Sequence, residues 1–290
     1  MSALPAPASL AADDAAAHLA DWLSRHRRVF ALTGAGCSTG SGIPDYRGED
    51  GAWKRPAPVT WQAFTGDPAV YRRYWARSHV GWPRFGRARP NAAHRALAAL
   101  GRHGPVAMLV TQNVDGLHQR AGSPRTIDLH GRLDAVVCLG CGERLPRADL
   151  QPRLDALNPG WTPGPAATAP DGDADIAADA ERAFAPPRCE RCGGLLKPDV
   201  VFFGENVPRA RYEAARDALA AADALLVAGS SLMVYSGFRF ARMAHEAGLP
   251  LAILNRGLTR ADALAGLKLE AEVGATLATA AAGLGLTLDP

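Results

Sequence analysis

The sequence predicts an α/β fold built on a parallel sheet, and three observations carry that reading. Six short apolar runs, at 28–33, 105–111, 125–129, 223–229, 249–254 and 269–275, have the length and continuous hydrophobicity of strands buried on both faces. Helical patterns at about 11–26, 91–102, 208–221 and 236–247 fill the crossovers between them, with Asn91 and Pro208 placed where helices start. The first run stops in Gly34-Ala35-Gly36, a turn in which the backbone can approach a pyrophosphate without Cβ clashes and aim free N–H groups at it. Together these read as a Rossmann-like sheet that binds a dinucleotide.

The first strand departs from the common dinucleotide fingerprint. Thr39 stands where a third glycine is required, and the chain runs into Ser41-Gly42-Ile43-Pro44-Asp45-Tyr46-Arg47, which Pro44 and the glycines keep irregular. The cofactor is therefore expected to serve something other than hydride transfer. The second strand exits into Thr111-Gln112-Asn113-Val114-Asp115 and the third into His130-Gly131. The fourth leads to Gly229-Ser230-Ser231 and the fifth to Asn255-Arg256-Gly257. In an open α/β sheet ligands bind outside the carboxyl ends of the strands, so these clusters are expected to converge on one crevice.

Two segments interrupt the alternation and divide the chain. Residues 28–47, 91–131 and 201–285 form the discontinuous Rossmann-like domain. Residues 48–90, rich in Trp, Tyr and Arg, are expected to be a small helical module, and 132–200 a zinc-ribbon module with a long, poorly ordered loop. Residues 1–10 are expected to be disordered.

Composition narrows the function. Hydrophobic content of 48% against 21% charged residues excludes disorder throughout the 290 residues. The net charge is only +3, and no run of like charge forms a stripe, so neither nucleic acid nor a membrane surface is an expected partner. No stretch approaches eighteen uninterrupted apolar residues, and Asp13 and Asp14 precede any arginine, which suits neither a signal nor a transit peptide. A cytoplasmic enzyme is expected, its oligomeric state left open.

Four of the five cysteines, Cys138, Cys141, Cys189 and Cys192, form two Cys-x-x-Cys knuckles, each with a glycine (Gly142, Gly193) behind its second cysteine. Two knuckles make a closed tetrahedral Zn²⁺ site; with four protein ligands no position is open for water, so one zinc ion is expected to stabilise the fold. Cys37 reads as a small apolar filler. Among the eight histidines, His130 at a strand end is the candidate general base, because imidazole exchanges a proton near neutral pH. His118 and His94 read as supporting or packing residues. The amides of Gln112 and Asn113 and the carboxylate of Asp115 suit a ligand that offers both donors and acceptors, such as a carboxamide ring and ribose hydroxyls.

The run Gly34-Ala35-Gly36-Cys37-Ser38-Thr39-Gly40-Ser41-Gly42-Ile43-Pro44-Asp45-Tyr46-Arg47 resembles the cofactor loop of the sirtuins, NAD-dependent protein-lysine deacylases. Gln112-Asn113-Val114-Asp115 and Leu129-His130-Gly131 resemble further motifs of that family in the same order, and the likeness spans about residues 28–275. The resemblance implies that NAD is a co-substrate, held by Gly34, Ala35, Gly36, Ser38 and Arg47, with Ile43, Pro44, Asp45 and Tyr46 around the nicotinamide. Gln112, Asn113, Val114 and Asp115 would hold nicotinamide and its ribose, and His130 and Asn113 are the catalytic assignments. Gly229, Ser230, Ser231, Asn255, Arg256 and Gly257 would bind adenosine, and Val273 takes a place where sirtuins often have a cysteine.

The family reaction is also implied. The acyl-lysine oxygen attacks the anomeric carbon, nicotinamide leaves, and His130 helps ribose hydroxyls take over the acyl group, freeing lysine. Lys197 to Glu205 resembles the substrate strand, so Val200 and Phe202, with Met233, Val234 and Tyr235 opposite, are expected to hold an acyl-lysine peptide through its backbone. Tyr74 and Arg77, three residues apart, match a pair that recognises acidic acyl groups in one sirtuin branch, with a packing pair as the competing reading. The wording Arg73-Tyr74-Trp75-Ala76-Arg77 and the long interval between knuckles resemble the class II branch instead. Mono-ADP-ribosyl transfer and a non-catalytic NAD or ADP-ribose-binding module are the alternative functions.

Overall fold

The computed structural model describes residues 12–54, 58–164, 167–168 and 172–289. The expected disorder of residues 1–10 lies outside the described residues. In chain order the elements are α1 (Ala12–Ser24), β1 (Val29–Thr33), α2 (Trp61–Gly66), α3 (Pro68–Phe85), α4 (Ala92–His103), β2 (Val106–Thr111), α5 (Leu117–Arg120), β3 (Thr126–Asp128), β4 (Gly131–Cys138) and β5 (Arg144–Pro146). They continue with α6 (Arg147–Leu157), β6 (Ala167–Thr168), β7 (Ala174–Asp175), α7 (Ala178–Ala183), β8 (Leu196–Val200), α8 (Arg209–Ala220), β9 (Ala224–Ala228), α9 (Tyr235–Glu246), β10 (Leu251–Leu254), β11 (Leu267–Leu269) and α10 (Val273–Gly283).

Six strands form one parallel sheet in the order β11-β10-β9-β1-β2-β3. Burial on both faces explains why these strands read as continuous apolar runs rather than alternating ones. Val29 and Ala31 of β1 pack with α1, α4 and α10, through Leu19, Leu97 and Leu277, while Phe30 and Leu32 point to the other face and pack with α8 and α9, through Leu219 and Phe240. Ala224 and Leu226 of β9 divide from Leu225 and Val227 in the same way. Asn91 starts α4 as a capping box, its side chain accepting from the backbone of Ala93 and His94 while the His94 ring accepts from the Asn91 N–H.

The sixth expected strand, 269–275, is corrected: β11 covers Leu267–Leu269, and Val273 opens α10. The Glu272 carboxylate caps that helix by accepting from the Gly274 and Ala275 N–H groups, and the alanine-rich run behind it has high helix propensity. An acidic residue placed there also complements the helix dipole.

The two interrupting segments, separate in sequence, share one core. Phe64, Tyr74, Trp75 and Phe85 from 48–90 pack with Leu133, Val136, Leu150, Phe184 and Leu196 from 132–200. The interval between the knuckles contains regular elements among its described residues. It contains α6, the short pair β6-β7 and α7. Its aromatic residues hold it in place, since Trp161 and Phe184 pack on each other and on His79 of α3, and the Trp161 N–H donates to the Ala180 carbonyl. Gly81 of α3 is the contact point: a Cβ there would lie 2.0 Å from the Gly172 carbonyl oxygen.

The chain order runs outward from β1 through β2 to β3, then returns to the opposite side of β1 as β9, so the topological switch lies between β1 and β9. There the Gly36 N–H donates to the Gly229 carbonyl at 2.8 Å, and a Cβ on Gly229 would lie 2.5 Å from the Cys37 nitrogen. Gly229 also has a φ of 61°, in the left-handed region. Gly229→Ala combines the strain with the clash and is expected to destabilise the chain by about 2 kcal/mol or more; chemical denaturation would measure it, and an unchanged midpoint would contradict the close approach.

Candidate functional site

The strand exits converge on a cavity of about 670 Å³ at the carboxyl edge of the sheet. Its wall includes Gly34, Ala35, Gly36, Ser38, Ile43, Pro44, Asp45, Tyr46 and Arg47 from the first exit, and Gln112, Asn113, Val114, Asp115 and His130 from the second and third. Gly229, Ser230, Ser231, Asn255, Arg256 and Val273 close the opposite side. Gly257 does not line it. It packs on Glu49, where a Cβ would lie 2.3 Å from the carbonyl oxygen, and the neighbouring Leu258 N–H donates to that carbonyl.

After β1 the chain makes two short 3₁₀ turns, Ala35–Cys37 and Thr39–Ser41, in place of a long helix. This shape brings Ser38 inward. The buried Ser38 hydroxyl donates to the Asp115 carboxylate at 2.6 Å and accepts from the Asn113 amide at 3.0 Å. The same amide donates to the Gly34 carbonyl, and the Gln112 amide donates to the Thr33 carbonyl and the Ser230 hydroxyl. Each polar side chain of the strand ends is thus fixed by a neighbouring exit before any ligand arrives. Burial raises the Asp115 pKa above the usual carboxylate range, opposed by hydrogen bonds from Ser38 and the Leu117 N–H. On the flanking loop, the Arg47 guanidinium lies 3.9 Å over the Trp53 ring, and Asp45 pairs with Lys54.

His130 is held from both sides. Its Nδ1 lies 3.0 Å from the Gln112 carbonyl oxygen, which can only accept, so Nδ1 carries the proton. Its Nε2 lies 2.7 Å from the Ser236 hydroxyl. Burial lowers the pKa to about 4, against the opposing pull of the Gln112 carbonyl, so the ring is neutral at pH 7 with the Nε2 lone pair available. His118 and Cys37 have other work: the His118 ring bonds the Thr33 hydroxyl inside the core, and the buried Cys37 thiol is pushed up to about 12, the range of an inert group.

On the peptide side, Tyr74, Val200, Phe202 and Val234 line the cavity. Of Tyr74 and Arg77, only Tyr74 lines the cavity. Arg77 is absent from the cavity wall and donates to Glu181 of α7 at 2.6 Å, with Asp175 a second acidic neighbour at 3.8 Å. Acids of the inter-knuckle segment thus occupy the cation that an acidic acyl group would need. The same segment adds Asp173 to the cavity wall, beside Phe85 and Leu133. Sequence reasoning missed Phe85, Leu133, Asp173, Glu272 and Ser236. For Ser236 a signal was available, because side chains in the first turn of a helix lean toward its N-terminus and so toward the strand exits. For Asp173, far from any motif, there was none.

The four cysteines of the two knuckles converge, their Sγ atoms all within 4.8 Å of one another and the nearest pairs at 3.5 and 3.8 Å. A tetrahedron of Zn–S bonds near 2.3 Å has edges of about 3.8 Å, so the donor set fits one zinc ion. Gly142 and Gly193 have φ of 73° and 71°, and their N–H groups donate to the carbonyls of Cys138 and Cys189, giving the two knuckles the same turn. Backbone N–H groups of Cys141 and Gly140 hold the Cys138 thiol down to about 6, while burial pushes Cys189 up to about 12, so without the metal the four thiols share their charge unevenly.

A parallel sheet whose glycine-rich switch point opens onto a base-bearing cleft, joined to a four-cysteine ribbon, defines a nucleotide-binding enzyme class with a structural metal. The Sir2 family model matches residues 34–236, and the chain belongs to that family. A protein of Xanthomonas campestris pv. campestris (strain 8004), named NAD-dependent protein deacetylase, is 62% identical over 260 residues, covering 90% of this chain and 89% of the relative. NAD-dependent protein deacetylase 2 of Bradyrhizobium diazoefficiens is 57% identical, covering 90% and 95%. Among solved structures, a Sir2 homolog–NAD complex is 31% identical with a TM-score of 0.71, covering 93% of each chain. Sir2Tm bound to a propionylated peptide is 30% identical with a TM-score of 0.73, covering 93% of this chain and 99% of that one.

Two outcomes follow from the geometry. Cys141→Ser is expected to lose the zinc and with it several kcal/mol of stability; metal analysis with thermal melting checks this, and a metal-free variant melting like the parent would contradict it. Burial lowers His94 and His130 to about 4 and His118 well below 6.5. Between these values and 6.5 the unfolded chain binds the extra protons, so stability is full above pH 6.5 and falls as pH drops, by up to about 1.4 kcal/mol per pH unit per histidine. Asp115 and Asp128, raised by burial, act in the opposite sense and offset part of the loss at the acid end. Melting temperature should therefore be lower at pH 5 than at pH 7; an equal or higher value would contradict the neutral buried rings.

Proposed function

We propose that the protein is an NAD-dependent protein-lysine deacylase, which transfers the acyl group to ADP-ribose and releases nicotinamide, with His130 as general base. The observation that carries this is the tautomer of His130: Nδ1–H is spent on the Gln112 carbonyl, which leaves Nε2 as the acceptor inside the cleft. The names of the relatives and the NAD and propionyl-peptide complexes of similar structures support the same reading. In this mechanism NAD is consumed as a substrate, and its glycosidic bond supplies the driving force. Gly34, Ala35 and Gly36 offer backbone to the pyrophosphate. Gln112, Asn113 and Asp115 orient the nicotinamide ribose, and Ile43, Pro44 and Tyr46 exclude water from it. His130 takes the proton of a ribose hydroxyl as that oxygen attacks the acyl carbon. The four cysteines would hold zinc with no open position, which confines the metal to a structural part.

The acyl group is read from the walls. Tyr74, Phe85, Leu133 and Val200 are apolar surface suited to a chain longer than acetyl, Arg77 is already paired with Glu181, and Asp173 brings a carboxyl group to the wall. Uncharged acyl groups are therefore preferred over succinyl or glutaryl. The class II branch agrees with this and with Arg73-Tyr74-Trp75-Ala76-Arg77. The substrates are acyl-lysine proteins bound between Val200–Phe202 and Val234, and the place of work is the cytoplasm. Among the described residues no helix is long and apolar enough to cross a membrane.

The test incubates protein and NAD with acetyl, lipoyl, biotinyl, succinyl and glutaryl peptides and measures nicotinamide and free lysine. The neutral acyl groups should turn over at least tenfold faster than the acidic ones, and His130→Ala should reduce deacylation by roughly 10²-fold or more, the range of general-base catalysis. Lysine release undiminished in His130→Ala would remove the base assignment. ADP-ribose attached to protein without lysine release would replace deacylation by ADP-ribosyl transfer, and no nicotinamide from any peptide would leave a binding module.

A further inference from the structure

The first turn of α9 sits against the base, and glycine lets it do so. A Cβ on Gly237 would lie 2.3 Å from the Gln112 Oε1, so with glycine here the helix start packs directly on the Gln112 side chain. Gln112 in turn is anchored to Thr33 and Ser230. That contact fixes the preceding residue, Ser236, whose hydroxyl lies 2.7 Å from His130 Nε2 on the cavity wall. Since Nδ1 bears the proton of the neutral ring, the hydroxyl donates to Nε2.

We propose that Ser236 is a positioning residue for the catalytic imidazole, holding the ring plane from the side opposite Gln112 and setting how readily Nε2 accepts a proton. This rests on His130 being the base. A hydroxyl can serve both states of the ring. It donates to neutral Nε2 at rest, turns its hydrogen to another acceptor as the ribose hydroxyl takes over that lone pair, and once the ring has taken the ribose proton its oxygen accepts from the new Nε2–H. The proton count is conserved, and the ring need not swing to find a partner in either state.

The surrounding charges act in a known direction. Arg211 on α8 opposes protonation of the ring, as does the N-terminal dipole of α9, whose cap residue Val234 contributes no side-chain bond. Arg239 on α9 and Asp115 beyond β2 also line the cavity, and Asp128 ends β3 two residues before the ring. None of these is altered by a change at Ser236. The bond accepted from the charged ring is the stronger of the two, because one partner is ionised, so removal of the hydroxyl should make the ring harder to protonate.

The experiment follows the His130 ring by NMR through a pH titration, with kcat and KM measured on an acyl-peptide, in the parent, Ser236→Ala and Ser236→Thr. In the Ala variant the ring midpoint should fall by about 0.4 to 1 pH unit, the difference between an ionic and a neutral hydrogen bond. The kcat should fall by roughly tenfold while KM for NAD stays within about twofold. Thr, which keeps the hydroxyl, should restore both. A midpoint unmoved or raised in Ser236→Ala overturns the proposal, as does a lowered midpoint with full kcat. Ser236→Cys, close in shape but a weaker donor, should give an intermediate midpoint and serves if Ala disturbs the helix start, which zinc content and melting would reveal. The ring titration reads Ser236 directly, whereas activity of His130→Ala reads the base assignment, so failure of one is distinguishable from failure of the other.

Discussion

The close approach of two strand exits governs this molecule. β1 and β9 are adjacent, parallel and end at the same level, so the turns that leave them must share one small volume. Glycine at 34, 36 and 229 resolves the conflict: a Cβ at any of the three would come within 3.0 Å of atoms of the other turn. The backbone groups brought together this way form the rim that a pyrophosphate needs, and the hydrogen bonds across the switch point keep them aimed with no ligand present. The glycines thus serve packing and recognition at once, which is why neither requirement could be relaxed alone.

The polar groups behind that rim are costly to bury and are stabilised by one another. Ser38, Asn113, Asp115, Gln112 and Ser230 exchange hydrogen bonds between three different strand exits, so desolvation is offset inside the cluster and the geometry is fixed by all of them together. Burial acts on His130 in a useful direction. In water an imidazole would be partly charged at neutral pH, whereas here it is a neutral acceptor locked in one tautomer.

Much of the central sheet was legible in the sequence because a two-sided parallel sheet writes itself as unbroken apolar runs, and the residues at their exits were legible as polar interruptions. The five surest runs coincide with strands to within one or two residues. The sixth failed for a local reason. Val273 and its neighbours are apolar enough for a strand, and the Glu272 cap, an uncommon choice, together with the alanines that follow turns them into a helix. That Gly257 packs on Glu49, and that Arg77, one turn from Tyr74, bonds Glu181 104 residues later, is written nowhere in the local sequence. Contacts of that sequence separation leave no periodic trace, so the walls of the acyl end could be read only from the folded chain.

The zinc ribbon is mechanically part of the catalytic cleft. β4 begins at Gly131, next to the base, and ends at the ligand Cys138, while β8 begins four residues after the ligand Cys192 and ends at Val200 on the peptide side. These two strands pair antiparallel, and Gly131 meets Asp199 so closely that a Cβ would lie 1.9 Å from its carbonyl oxygen. A metal held by the four cysteines would therefore clamp one end of this ladder, with His130 and Val200 at the other. The same ladder anchors the core shared with α3, through Val136 and Leu196 packed on Trp75. An ion with no open coordination position is in this way tied to the shape of the cleft through one β-ladder.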